Sequence, residues 1–297
     1  MITSHIGEIS ALLTAMLWVL SGTAFEHGGK RVSSQAVNLM RLIMAVLIMA
    51  VYLTIRRGSP IPFDASPQNW LWLSISGLVG FVLGDYFLFE SYVLVGTRLA
   101  LLIMSLSPIL TGILSYFVFG EKLSWLNMLG IMLVILGIML VVLTKNHGEK
   151  MKLNIRPRGL IYAILGAVGQ SIGLIFSKLG MGSFDPFAST QIRLIAGMFG
   201  WILLFFIFGW FPRLMRFKTD RKALGFTFFG AFFGPFLGVS FALTAVQHTK
   251  AAVASAIMSI MPVLILPVNL ILFKEKIRSR AIIGAVITVI GVVILYL

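Results

Sequence analysis

The chain has 297 residues, of which 59% are apolar and 11% charged, and it holds no cysteine. That composition cannot cover a soluble protein with polar surface, and without cysteine there is no disulfide, thiol catalysis or Cys-ligated metal. The formal net charge of +14 would suit nucleic acid, but the basic residues fall between apolar runs, as in the loops of an integral membrane protein, so no nucleic-acid partner is expected.

Apolar runs of bilayer-spanning length, roughly 20 residues each, predict helices at Ile6–Phe25, Ala36–Ile55, Trp70–Glu90, Leu99–Phe119 and Trp125–Leu143. A polar, basic stretch from Thr144 to Pro157 follows. The second series is predicted at Leu160–Ser177, Phe187–Phe208, Leu224–Val246, Ala251–Phe273 and Ile282–Leu297. A β-barrel would need short alternating segments, whereas these runs are continuous. The first run lacks the basic start of a cleaved signal and has a counterpart in the sixth, so it is read as a span.

The two series are copies. One constant offset carries Gly80, Gly84, Ala100, Met104, Ser105, Pro108, Glu121, Lys122, Gly130 and Gly137 onto Gly234, Gly238, Ala254, Met258, Ser259, Pro262, Glu275, Lys276, Gly284 and Gly291. Nearer the start of each half an offset two residues shorter pairs Gly7 with Gly159, Ala15 with Ala167 and Arg41 with Arg193. The expected fold is therefore all-α and membrane-embedded, with ten transmembrane helices as two five-helix repeats, residues 1–144 and 158–297, joined by a basic linker, 145–157. An odd number of spans per copy inverts the second copy in the bilayer, the arrangement from which secondary carriers are built.

Of the 24 Lys and Arg residues, Arg41 and Arg193 fall inside spans, and only Arg56, Arg57, Lys122, Lys178 and Lys250 fall on one face. The rest gather on the other face. The positive-inside rule makes that face cytoplasmic, with the linker, and leaves both termini outside a cell membrane crossed many times.

Ser105, Leu106, Ser107 and Pro108 followed by Phe119, Gly120, Glu121 and Lys122, repeated as Ser259, Ile260, Met261 and Pro262 followed by Phe273, Lys274, Glu275, Lys276 and Gly284, resemble the signature of the drug/metabolite transporter superfamily, specifically its EamA family. The resemblance covers essentially the whole chain. It implies two facing five-helix bundles that move small metabolites, often amino acids or related compounds and commonly outward. It also implies cytoplasmic termini, as in many members, where the charge count places them outside.

Asp85 is the carboxylate set deepest in a span. At the bilayer centre it costs about 2.5 to 3.5 kcal/mol on insertion scales, so it should face a wet cavity or a partner, either coupling transport to protons or bonding a neighbouring helix. Its counterpart in the second copy is Val239. Arg41 and Arg193 lie two turns from their helix ends, about 10 to 12 Å deep, suited to snorkelling or to serving as a carboxylate clamp on each side. Pro108 and Pro262 are expected as mid-span hinges that loosen the Met104 and Met258 carbonyls. Trp18, Tyr86, Gln170, Ser105 and Ser259 are candidate substrate contacts, with Ser21, Glu90, Tyr92, Ser171, Ser177, Gln247 and Asn269 as weaker ones. Glycines four apart, Gly80 with Gly84, Gly169 with Gly173, and Gly230 with Gly234 and Gly238, predict close helix contacts.

No Walker-type loop appears, so transport driven by the chain's own ATP hydrolysis is not expected. The four histidines form no ligand spacing, and neither a metal nor another cofactor is predicted. The expected function is a secondary carrier of small organic metabolites, by way of the resemblance amino-acid-like and exported, proton-coupled or exchange-driven, as a monomer or homodimer. The alternatives are a multidrug or nucleotide-sugar carrier, or a membrane chaperone or receptor without transport. An enzyme is not expected, because only Asp85 and Glu90 approach a catalytic placement and they diverge around their helix.

Overall fold

Helix starts are written locally in matching places of the two copies. Ser33 caps the helix after it by accepting the Ala36 amide, and Asp185, its counterpart, caps by accepting the Ala188 amide at 2.8 Å ahead of Pro186. Ser66 forms a capping box with Asn69, and its counterpart Asp220 accepts the Ala223 amide. Such caps satisfy amides that a helix start leaves open. Gly58 and Gly209, with φ of 77° and 64°, end the corresponding helices in the left-handed conformation that glycine adopts without strain.

The computed structural model describes residues 5–95, 97–144, 157–264, 266 and 279–296, and no strand occurs among them. Helices α1 (Ile6–Arg31) and α2 (Ser34–Arg57) are continuous. Helix α3 runs from Pro67–Gly77 through a π-helical turn, Leu78–Gly84, into Asp85–Val95. Helix α4 is Thr97–Met104 and Ser107–Phe119 with a break between, and α5 is Trp125–Leu143. The second copy has α6 (Pro157–Met181), α7 (Pro186–Phe208) and α8, which is Arg221–Ala231, a π turn at Phe232–Gly238, and Val239–His248. Then come α9 (Ala251–Leu264), also broken after Met258, and α10 (Ser279–Leu295).

The first eight are long and apolar enough to cross a membrane; α9 and α10 are shorter apolar helices. The predicted ninth span continues beyond the described residues, where Asn269, Glu275 and Lys276 also lie, as does the linker from 145 to 156. Helices α1 and α6 run past their predicted ends, to Arg31 and Met181. At the end of α1 a Glu26–Lys30 pair four residues apart supports the extra turn.

Lipid is as apolar as leucine, so burial of apolar surface does not drive these helices together; close packing of small residues does. A Cβ on Gly173 would stand 2.9 Å from the Gly80 Cα, and one on Gly169 2.9 Å from the Gly84 Cα, so α3 of the first copy is pressed onto α6 of the second. The mirror contact joins α8 to α1: a Cβ on Gly234 would meet the Ser21 Oγ at 2.9 Å and one on Gly238 the Trp18 ring at 2.7 Å. Helices α5 and α10 cross at Gly137 with Gly284 and Gly130 with Gly291. Each copy thus interlocks with the other.

Candidate functional site

The π turn in α3 places Asp85. In such a turn each bond reaches one residue further than in an α-helix, and the Asp85 amide accordingly meets the Gly80 carbonyl. Side chains from the second copy satisfy the wide turn: Gln170 Nε2 donates to the Gly80 carbonyl at 3.2 Å and Trp201 Nε1 to the Phe81 carbonyl at 2.6 Å. The same Gln170 amide donates to Asp85 Oδ1 at 2.8 Å, and Arg41 Nη2 forms an ion pair with Asp85 Oδ2. Asp85 is 7% exposed, and its burial is compensated by a cation and an amide.

Around Asp85 lies a cavity of about 300 Å³ lined by α1 to α4 and α6 to α9, with α5 and α10 outside it. Trp18, Arg41, Asp85, Gln170, Arg193, Ser105, Ser259 and Pro262 all line it. Ser105 and Ser259 are turned onto their own helices, donating to the Leu102 and Ser255 carbonyls at 2.7 Å each. Arg41 is neither a snorkelling residue nor a clamp on a side of its own; it pairs with Asp85 and lies over the Phe25 ring at 5.3 Å. Arg193 does not snorkel either. It is 6% exposed, packs over the Phe81 ring at 4.8 Å, and leaves Nε without a partner among the described residues. The two arginines, expected on opposite sides, face one cavity, because Gly77 and Gly80 let α3 lie directly against α7 at Arg193.

Several expected residues fall elsewhere, Glu90 and Ser177 among them, the latter donating to the Gly173 carbonyl at 2.7 Å. Tyr86 is outside the cavity lining and packs edge-on against Phe87 at 5.6 Å. Gln247 donates to the Gly182 and Phe184 carbonyls and ties down a loop. Pro108 is buried behind the cavity and opens the second segment of α4 as one of its first residues, where no amide is needed. Both proline positions therefore follow breaks in the helix, at Ser105 to Leu106 and at Ser259 to Ile260, rather than kinks within it. Thr111 Oγ1 reaches Ser255 Oγ at 3.5 Å, joining α4 to α9 beside these breaks.

The end of the molecule poor in basic residues is held by a network of charged and polar groups. Lys178 of α6 pairs with Glu121 after α4 at 2.6 Å and donates to the Thr249 carbonyl at 2.9 Å. Glu121 also accepts from Ser115 and from the Ala251 amide, and Thr249 Oγ1 donates to Glu8 at 2.6 Å. Burial pushes the Glu121 carboxyl up, but the hydrogen bonds from Lys178 and Ser115, with the Lys178 charge, outweigh it and hold the group below its ordinary range. Among the described residues no group of three or more His, Asp or Glu is placed to hold a metal ion.

Comparison with known proteins agrees with this architecture. Two uncharacterized transporters of Archaeoglobus fulgidus are similar to the chain, one 23% identical with 95% of each chain covered and the other 24% identical with 97% of each covered. Protein LicB of Haemophilus influenzae is 25% identical over 68% of each chain. A solved crystal structure superposes with a TM-score of 0.76 at 17% identity, covering 97% of this chain and 95% of the other, which speaks for the fold alone. The model of the EamA-like transporter family matches twice, at residues 5–143 and 157–297, one match on each of the interlocked copies. Duplicated and folded around a shared cavity, this membrane protein belongs to the EamA-like transporter family.

Proposed function

We propose that the chain is a secondary carrier of small organic metabolites that works by alternating access around the cavity between its two copies, in a cell membrane spanned ten times. The observation that carries this reading is the set of Arg41, Asp85, Gln170 and Arg193, brought from four helices of both copies to one small cavity. A site at the repeat interface near the middle of the helices is where inverted-repeat carriers hold their cargo. At about 300 Å³ the cavity lies at the lower end of small-molecule sites, which favours amino-acid-sized cargo over a nucleotide sugar. Asp85 acts as the coupling group: when its bond to Arg41 opens, the carboxylate can take a proton in place of a cation. The groups that face it are Arg41, Gln170 and, at longer range, Arg193.

The test is uptake and counterflow by purified protein in liposomes, with and without an imposed pH gradient, over a panel of amino acids and related metabolites. Concentrative, pH-driven uptake of one compound class is the expected result. Inert liposomes across the panel would favour the chaperone or receptor reading.

A further inference from the structure

Among the described residues the charged ones that line the cavity are Arg41, Asp85 and Arg193, which leaves one positive charge over. Arg41 is taken by Asp85, and the amide of Gln170 is divided between Asp85 and the Gly80 carbonyl. Arg193 is in a different position. Like Arg41 it has an aromatic ring behind its guanidinium, Phe81 at 4.8 Å, and an Nε with no partner, but among the described residues it makes no ion pair; its backbone is wedged against Gly77, where a Cβ would stand 3.0 Å from the Arg193 Cα. The side chain is thus 94% buried, fixed in place and unpaired among the described residues, at the wall of a cavity large enough for a ligand. A buried cation without a hydrogen-bonded counter-charge is unfavourable, and a planar fork of donors matches a carboxylate in two parallel bonds.

We infer that Arg193 is the anion-binding group of this cavity and that the ligand is a small monocarboxylate, its carboxylate on the guanidinium and its apolar part among Trp18, Phe25, Phe81 and Leu88. This rests on the carrier reading for its purpose but not for its chemistry. One charge from the ligand neutralises the cavity. A cationic ligand would add to the surplus, and a dianion would reverse it.

The experiment is thermal unfolding of the purified full chain in detergent, titrated with 4-methylpentanoate and 3-phenylpropionate, the amide of each, and the amine of the same length. The carboxylates should raise the melting temperature and the amides and amines should not. Arg193→Gln should weaken carboxylate binding at least tenfold, with Arg193→Lys, which keeps the charge and guards against a folding defect, in between. Asp85→Asn should tighten it, since the surplus charge doubles; a merely structural Arg193 would not produce that opposite pair of shifts. Equal stabilisation by amide or amine, unchanged binding by both Arg193 variants, or no stabilisation by any of the probes overturns the inference. Counterflow of the same compounds separates it from the carrier reading: carboxylates that bind through Arg193 yet never cross the bilayer leave the anion site standing and remove the transporter.

Discussion

Asp85 and Arg41 are each other's justification inside the bilayer. Arg41→Met strands a buried carboxylate and should cost about 3 to 5 kcal/mol of stability, read as a large drop in melting temperature. Asp85→Asn retains a side chain that can bond Gln170 and should stay folded, while losing accumulation against a gradient and its response to pH but keeping exchange of cargo for cargo. Full pH-driven uptake by Asp85→Asn in liposomes would remove the residue from coupling. Glu121 gives a prediction of its own. Because its carboxyl is held below the ordinary carboxylate range in the folded chain, the stability it contributes is fully present above that range and is lost as pH falls through its own lower value. Melting temperature should therefore fall on acidification, and Glu121→Gln should flatten that part of the profile; an equally steep fall in the variant would assign the acid sensitivity to other groups.

At the level of the helices, the breaks ahead of Pro108 and Pro262 mark where α4 and α9 can bend. Replacing both prolines with Ala should let each helix heal across its break and slow the exchange of outward-facing and inward-facing forms, seen as slower counterflow with cargo binding intact. Normal rates in the double variant would place the moving elements elsewhere. The crossing of α5 and α10 predicts the reverse pattern. A Cβ on Gly284 would stand 2.7 Å from the Gly137 carbonyl oxygen, so Gly284→Ala should cost about 1 to 3 kcal/mol through overpacking, while transport per folded molecule is unchanged because neither helix lines the cavity. A melting temperature within error of wild type would mean the crossing opens at no cost. The spans and the glycine contacts were legible because hydropathy and four-residue spacing are carried by single residues. The π turns were not: an extra residue within a helix leaves no trace in the apolar pattern. The pairing of Arg41 with Asp85 was hidden for a related reason, since the depth of a charge along its own helix says nothing about what a neighbouring helix brings to the same level.

For the molecule as a whole, the repeat predicted an all-helical pair of copies, and each matching interface joins one copy to the other rather than closing either on itself. Orientation is a separate matter, decided by loop charge. The basic face should be cytoplasmic, so a reporter fused after Leu297 that works only in the cytoplasm should stay silent; activity there would invert the assignment. The candidate site was partly legible: Asp85, Arg41, Arg193, Gln170 and Trp18 stood out as polar or aromatic residues in apolar runs. Phe25 and Phe81, which back the two guanidinium groups, were lost among 24 phenylalanines, most of them suited to lipid.

The π turns at Leu78–Gly84 and Phe232–Gly238 occupy the same place in both copies, and their consequence concerns chain length rather than chemistry. One residue is worth about 100° around an α-helix. Losing any single residue from the first turn would restore a regular helix, with better backbone geometry and the same apolar span, yet Asp85 would swing away from Arg41 and Gln170. The gene that gave rise to the two copies carried that irregularity if both inherited it, and in each descendant a deletion that tidies the helix is one that dismantles the cavity.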